Sequence, residues 1–286
     1  MLKRIEFLTS GESHGKALLG IIEGIPANIE ISEEYIKNHL ERRQAGHGRG
    51  GRMKIENDYA EIISGVRNGI TIGSPIGLMI NNNDWENWKH KMSIEKNEDD
   101  IKKVTLPRPG HADLAGIQKF GFTDIRNVLE RSSARETAMR VALGSVCRKV
   151  LEDIGIEVGS RVVQIHNIVD TNKISNFDSA NSISNTADIS AVRCLDKSCS
   201  NKMIAAIDLA KSNGDSVGGI FEIIATGLPY GIGSYTQWNK KLNSKLAAMV
   251  MSINAFKSIE FGTGIKQANE FGSDVHDEIK WSDNSY

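Results

Sequence analysis

The chain has 286 residues, of which 40% are hydrophobic and 25% charged. That balance fits a globular fold with its own core and excludes a disordered or fibrous chain. With 35 basic against 36 acidic residues the formal net charge is −1. No overall field draws the chain to nucleic acid or a membrane, so an anion site needs locally clustered arginine.

Residues 5–8 read as a short strand entering the turn Gly11-Glu12-Ser13-His14-Gly15. Residues 18–31 are apolar and β-rich, interrupted at Gly24 and Pro26. Ser32 followed by Glu33 and Glu34 signals a helix start, a hydroxyl cap with acids in the first turn. That helix runs to about Arg43, with Ile36 and Leu40 on one face.

Residues 42–52 set four arginines among glycines, which precludes a regular helix. Three readings are open: a solvated loop, a single-stranded nucleic-acid segment, or an ordered anion clamp.

Residues 59–80 read as β-hairpins turning at Asn68-Gly69 and Gly73-Ser74-Pro75. Residues 81–100 are polar, carry Trp85 and Trp88, and read as a surface excursion or flap. In Arg108-Pro109-Gly110-His111-Ala112-Asp113 a histidine sits between an arginine and a carboxylate able to fix its tautomer.

Arg131-Ser132-Ser133-Ala134-Arg135-Glu136 opens the strongest helix. Ser133 and Glu136 have capping-box spacing, and Ala138, Val141, Ala142, Val146 and Val150 keep helical period. The same start, with two serines and two arginines, also suits a phosphate. Residues 156–168 form a strand region, 171–188 an Asn/Ser-rich surface loop, and 197–211 an amphipathic helix stopped at Asn213-Gly214. A last helix spans about 239–251, and residues 272–286 are polar.

The first turn recurs. Gly214-Asp215-Ser216-Val217-Gly218 leads through an apolar run to Gly227-Leu228-Pro229, as Gly11 leads to Gly24-Ile25-Pro26. Ser13 matches Ser216, but His14 faces Val217. One copy alone carries a titratable group, which marks His14 as functional.

The three cysteines, Cys147, Cys194 and Cys199, are an odd set without a second ligand pair, so neither a disulfide framework nor a zinc site is expected. The N-terminus does not read as a signal peptide, and no apolar run reaches membrane-spanning length. A reducing cytoplasm is the expected compartment. Two histidines, His14 and His111, with arginines in three irregular segments, suggest an enzyme for a multiply anionic small molecule.

These motifs are similar to those of a known family. Gly11 to Gly15 through Gly24-Ile25-Pro26 resembles the first signature of chorismate synthases, and Glu130-Arg131-Ser132-Ser133-Ala134-Arg135-Glu136-Thr137 resembles the second. The segments at Arg43, Gly48 and Arg49, at Arg108 to Asp113, and at Met251 to Ala255 resemble its other landmarks, over residues 5 to about 280.

The resemblance implies conversion of 5-enolpyruvylshikimate 3-phosphate to chorismate and phosphate, a 1,4-anti elimination that requires reduced FMN. It gives His14 the leaving phosphate to protonate and His111 the reduced flavin. Ser13, Arg43, Arg49, Arg52, Arg108 and Arg135 would hold the substrate. Arg131, Ser132, Ser133, Asn254 and Ala255 would contact FMN, with Arg43 and Arg49 also tied to NADPH. It implies a cytoplasmic homotetramer with no nucleic-acid or membrane partner and no metal.

The expected fold is α+β, with two pseudo-repeated halves whose antiparallel sheets pack face to face, helices outside, in a single domain over residues 1–286. His14, His111 and the three arginine segments are expected to converge on one cleft.

The family's Gly-rich segment, Lys-Pro flavin loop and Arg-Ser-Asp type motif do not occur in these residues. Weak FMN binding and little chorismate formation are therefore expected of this chain. Two alternatives stand beside this reading. Gly11-Glu12-Ser13-His14-Gly15 fits the G-x-S-x-G elbow of a serine hydrolase using Ser13, and residues 42–52 fit a nucleic-acid-binding module. A P-loop motif is absent.

Overall fold

The computed structural model describes residues 4–49, 57–96, 101–279 and 281. It divides into two compact units, one within Leu2–Tyr230 and one within Gly231–Tyr286.

In the first unit, β1 (Glu6–Ser10) pairs antiparallel with β2 (Ala17–Glu23) across the Gly11 turn. Along β2, Leu18, Gly20 and Ile22 are buried while Leu19 and Ile21 face out, the two-residue period of a strand covered on one side. Helix α1 (Glu33–Gln44) starts as expected: the Ser32 side chain accepts from the Tyr35 amide, and Ile36 and Leu40 are buried. Strands β3 (Ala60–Ser64) and β6 (Ile76–Asn81) complete a sheet of order β1-β2-β6-β3. Between them lies the ribbon of β4 (Val66–Arg67) and β5 (Ile70–Thr71), joined by Asn68 and Gly69 at φ 53° and 74°. Two positive φ values give the mirror-image turn whose twist suits a hairpin.

Helices α2 (Trp85–Trp88), α3 (Asp113–Phe120) and α4 (Arg126–Arg131) precede α5 (Glu136–Asp153). The apolar stripe of α5, Ala138, Met139, Ala142, Leu143 and Val146, is buried. The capping box expected from Ser133 and Glu136 does not form. The Ser133 hydroxyl donates to Ser13, and the Glu136 carboxylate accepts from Thr9, so tertiary partners have claimed both side chains.

The second sheet has the order β8-β7-β9, built from β7 (Glu157–Ile165), β8 (Ile168–Val169) and β9 (Gly219–Thr226). Residues 171–188, expected as a surface loop, contain helix α6 (Ala180–Asp188). Ser179 and Ser182 cap it reciprocally, and Ala180, Ile183 and Ala187 are buried. The Asn/Ser-rich composition masked this helical spacing. The helix rests on β7 at Gly159, where a Cβ would stand 1.9 Å from the Ala180 carbonyl oxygen. Helix α7 (Lys197–Ser212) follows, capped by Asp196, and ends at Asn213 as expected.

The sequence repeat is a structural repeat. Gly24 and Gly227 end β2 and β9 at φ 89° and 75°. A Cβ at Gly24 would lie 1.6 Å from the Arg4 carbonyl oxygen, and one at Gly227 2.1 Å from that of Gly155. Each glycine lets a strand end cross the chain entering its partner strand, so β1–β2 and β7–β9 are equivalent pairs.

The fold is therefore α+β with antiparallel sheets, as expected. Helices α1 and α5 cover the inner side of the first sheet, α6 covers β7, and α5 touches β7 as well. The long apolar stripes of α1 and α5 need a partner, and one face of an antiparallel sheet supplies it.

The second unit holds α8 (Leu242–Met251) and α9 (Gly272–Val275). The helix expected at 239–251 is α8, preceded by a 3₁₀ turn at Trp238–Lys240.

No helix of the described residues is long and apolar enough to cross a membrane. The thiols of Cys147, Cys194 and Cys199 are free. Burial pushes the Cys194 thiol up to about 12. Near pH 8 the folded chain therefore holds about a thousandfold less thiolate there than an unfolded one. Iodoacetamide leaves Cys194 unmodified in the native protein and alkylates it in urea, read by peptide mass. Equal labelling in both states contradicts its burial.

Candidate active site

The Gly11 turn is clamped by the end of α4. The Ser13 amide donates to the Glu130 carbonyl at 3.0 Å. The His14 amide donates to Glu130 Oε2 at 2.8 Å, and His14 Nδ1 lies 2.8 and 2.9 Å from the two carboxylate oxygens. Next along the helix, Arg131 Nη1 donates to the Gly11 carbonyl and Nη2 to the Thr9 carbonyl, both at 2.9 Å.

The Glu130 side chain is 1% exposed and that of His14 18%. A buried carboxylate that already accepts a backbone amide takes Nδ1 as a donor. In the neutral ring Nε2 then carries the lone pair, and in the charged ring it carries the acidic proton. Trp88 stacks on His14 with ring centroids 3.7 Å apart. Its indole N–H donates to Asp84 Oδ2 at 2.9 Å, which orients the indole that covers the imidazole.

A second set of contacts runs from the same turn into α5. Ser133 Oγ donates to Ser13 Oγ at 3.1 Å. Arg135 Nη1 donates to Asp58 Oδ1 at 2.6 Å, and Arg43 Nη1 to Asp58 Oδ2 at 3.4 Å. Arg43 also donates to Thr137 Oγ1 and to the Ala134 carbonyl. Asp58 is buried, and two guanidiniums share its carboxylate.

Arg108 and Asp113 form a two-pronged pair, Nε to Oδ2 at 2.9 Å and Nη2 to Oδ1 at 3.0 Å. The Arg108 hydrogen bond holds the Asp113 carboxyl below its usual range against the opposing effect of burial. The partner expected for His111 is thus taken by Arg108, and His111 is exposed at the start of α3. Gly116 of α3 faces Val128 of α4, and the charge of Glu130 reaches Arg108. The His111 turn therefore lies beside the helix that holds His14.

Not every expected residue joins this region. Arg49 is exposed, donates to the Ala45 carbonyl at 3.2 Å, and lines a separate cleft of about 780 Å³ with His47, Lys211 and Ser216. The Gly48 position explains this, since it packs against Ile207 of α7. Arg52 lies outside the described residues. Ser132 ends α4, and Arg131 grips the backbone of the turn. Asn254 and Ala255 belong to the unit within Gly231–Tyr286, Ala255 at φ 70°. Three residues outside the expected set enter the region: Glu130, Asp58 and Trp88. Among the described residues no group of three His, Cys, Asp or Glu is placed to hold a metal.

The hydrolase alternative meets a different geometry. The Ser13 turn follows an edge strand of an antiparallel sheet, and Nδ1 of the adjacent histidine is held by Glu130.

Comparison with known proteins settles the family. The chorismate synthase family model matches residues 5–285. A chorismate synthase of Bacillus subtilis (strain 168) is 52% identical over 284 residues, covering 98% of this chain and 72% of that protein. The chain belongs to the chorismate synthase family. The chorismate synthase of Alkaliphilus metalliredigens (strain QYMF) is 54% identical over 275 residues, covering 96% of this chain and 71% of that protein. A chorismate synthase crystal structure superposes with a TM-score of 0.82 at 41% identity, covering 99% of this chain and 75% of that one. Chorismate synthases are lyases of the shikimate pathway, so family membership marks this chain as an enzyme with a small-molecule substrate.

Proposed function

We propose that the chain eliminates phosphate from 5-enolpyruvylshikimate 3-phosphate in the anti sense to give chorismate, with reduced FMN bound. The observation that carries this reading is the pair of guanidiniums, Arg43 and Arg135, gathered on Asp58 and joined through Ser133 and Ser13 to a carboxylate-held histidine. An anion binder beside an oriented proton donor is what loss of a phosphate needs.

Arg43, Arg135 and Arg108 hold the carboxylates and phosphate through charge-assisted contacts. His14 Nε2 gives its proton to a phosphate oxygen, while Glu130 keeps Nδ1 engaged and Trp88 shields the ring from water. Hydroxyls at Ser132 and Ser133 with the Arg131 guanidinium suit the phosphate and polar ring edge of a flavin, so the donor set fits FMN. Reduced FMN, when bound, would supply the electron density that assists departure of phosphate, with no net redox change. By family likeness Asn254 and Ala255 would also contact FMN, and the exposed His111 would hold a proton for it. Arg49 and Arg52 extend the substrate contacts, and Arg43 with Arg49 serves NADPH as reductant.

The family match running from residue 5 to 285 supports a single domain. Exposed Leu8, Leu19 and Ile21 on the outer face of the first sheet support assembly, here as a cytoplasmic homotetramer.

The test is anaerobic phosphate release with chemically reduced FMN. The chain is assayed alone and joined to the part of the Bacillus subtilis relative outside the matched region, with NADPH replacing the chemical reductant in a second arm. Phosphate and chorismate in equal amounts from the joined form support the reading. A joined form that binds flavin and substrate but releases no phosphate overturns it.

A further inference from the structure

The two residues at the end of α4 hold the backbone and side chains of one short turn. Glu130 accepts the Ser13 amide with its carbonyl, and the His14 amide and Nδ1 with its carboxylate. Arg131 fixes the Gly11 and Thr9 carbonyls from the same helix end. The turn is thereby tied at residues 9, 11, 13 and 14 to one helix end, and His14 alone meets the carboxylate, whose side chain is 1% exposed.

A carboxylate buried to that degree requires hydrogen-bonded partners, and the ones recorded for it come from His14. Arg108, Arg131 and Lys91 are the cations around the pair, from the α3 approach, α4 and the flap. A glycine-flanked turn that merely needed anchoring has the Ser13 and Gly11 backbone contacts for that purpose. The additional bond to Nδ1 acts on the imidazole alone.

We propose that Glu130 is the positioning residue of His14: its carboxylate selects the Nδ1–H tautomer and aims Nε2 at the group that receives the proton. This rests on the proposed phosphate elimination for its catalytic consequence, while the tautomer itself is independent of that reading. Glu130 orients His14 as a bound carboxylate orients a metal-ligating or catalytic imidazole elsewhere in proteins. It neither touches the substrate nor gives up a proton.

The experiment has two readouts. The first is the ring nitrogen spectrum of ¹⁵N-histidine-labelled protein above the titration range, with the His14 signals assigned by their loss in His14→Ala. The second is anaerobic turnover of the joined form described above. In the unaltered chain the His14 ring reads as the Nδ1–H tautomer. In Glu130→Gln, which keeps shape but places an amide N–H against the ring, the Nε2–H tautomer grows at its expense. In turnover, Glu130→Gln lowers kcat by about ten- to a hundredfold with KM within about threefold, a part of the general-acid contribution. Glu130→Asp, one methylene short, recovers part of the loss in kcat.

An Nε2–H ring in the unaltered chain, or a Glu130→Gln ring with unchanged tautomer, overturns the proposal. A shifted tautomer with unchanged kcat overturns the catalytic consequence. If Glu130→Gln does not fold, the tautomer in the unaltered chain still decides. An inactive joined form with the Nδ1–H tautomer intact sinks the elimination reading and leaves the positioning standing.

Discussion

His14→Ala lowers turnover by about a hundred- to ten-thousandfold while substrate affinity stays within a few-fold, the contribution of a well-placed general acid. The affinity is spared because, in the proposed reading, the substrate's charges fall to Arg43, Arg135 and Arg108, which are held by Asp58 and Asp113 rather than by the Glu130 carboxylate that holds His14. The change also removes the ring stacked under Trp88 and leaves Glu130 without its Nδ1 partner. Some loss of stability therefore accompanies it, and a melting curve must show the variant folded at the assay temperature. The measurement is anaerobic turnover with reduced FMN, paired with substrate titration. Near-normal turnover returns His14 to the class of packing residues. A loss confined to affinity moves it among the substrate's anchors instead.

Asp58→Asn has the largest expected effect on stability. Asp58 is the shared counter-charge of Arg135, whose side chain is 5% exposed, and of Arg43 at 16%. Removing one member of a buried ionic set while the others stay costs on the order of 3 kcal/mol. That is a large part of the net stability of a typical domain, about 5–15 kcal/mol. The guanidiniums also lose the carboxylate that aims them, so substrate affinity falls together with stability. Urea unfolding checks the first effect and substrate titration of the folded fraction the second. An unfolding free energy that falls by less than about 1 kcal/mol shows that Asp58 does not organise the arginines.

What the sequence determined by itself was the local and the periodic. The strands around the Gly11 turn, the helices α1, α5 and α7, and the stop at Asn213 were legible from spacing, caps and turn residues. The repeat was legible too, because Gly24 and Gly227 each answer a steric demand made within their own strand pair. The family motifs named the chemistry. Composition hid one element: α6 is Asn/Ser-rich, and a capping box together with its buried face on β7 stabilises it.

The site was decided by tertiary structure. His14 meets Glu130 across 116 residues and Arg135 meets Asp58 across 77, separations at which no periodicity operates. Charge and burial choose such partners only after the sheet and helices have brought them together. The Ser133 and Glu136 side chains, spaced to cap α5, went to Ser13 and Thr9, because a half-buried hydroxyl and a buried carboxylate gain more from partners inside than from a helix end near water. Arg49 was separated from Arg43 for the same kind of reason. The glycine between His47 and Arg49 packs against Ile207, which directs that loop to the second sheet.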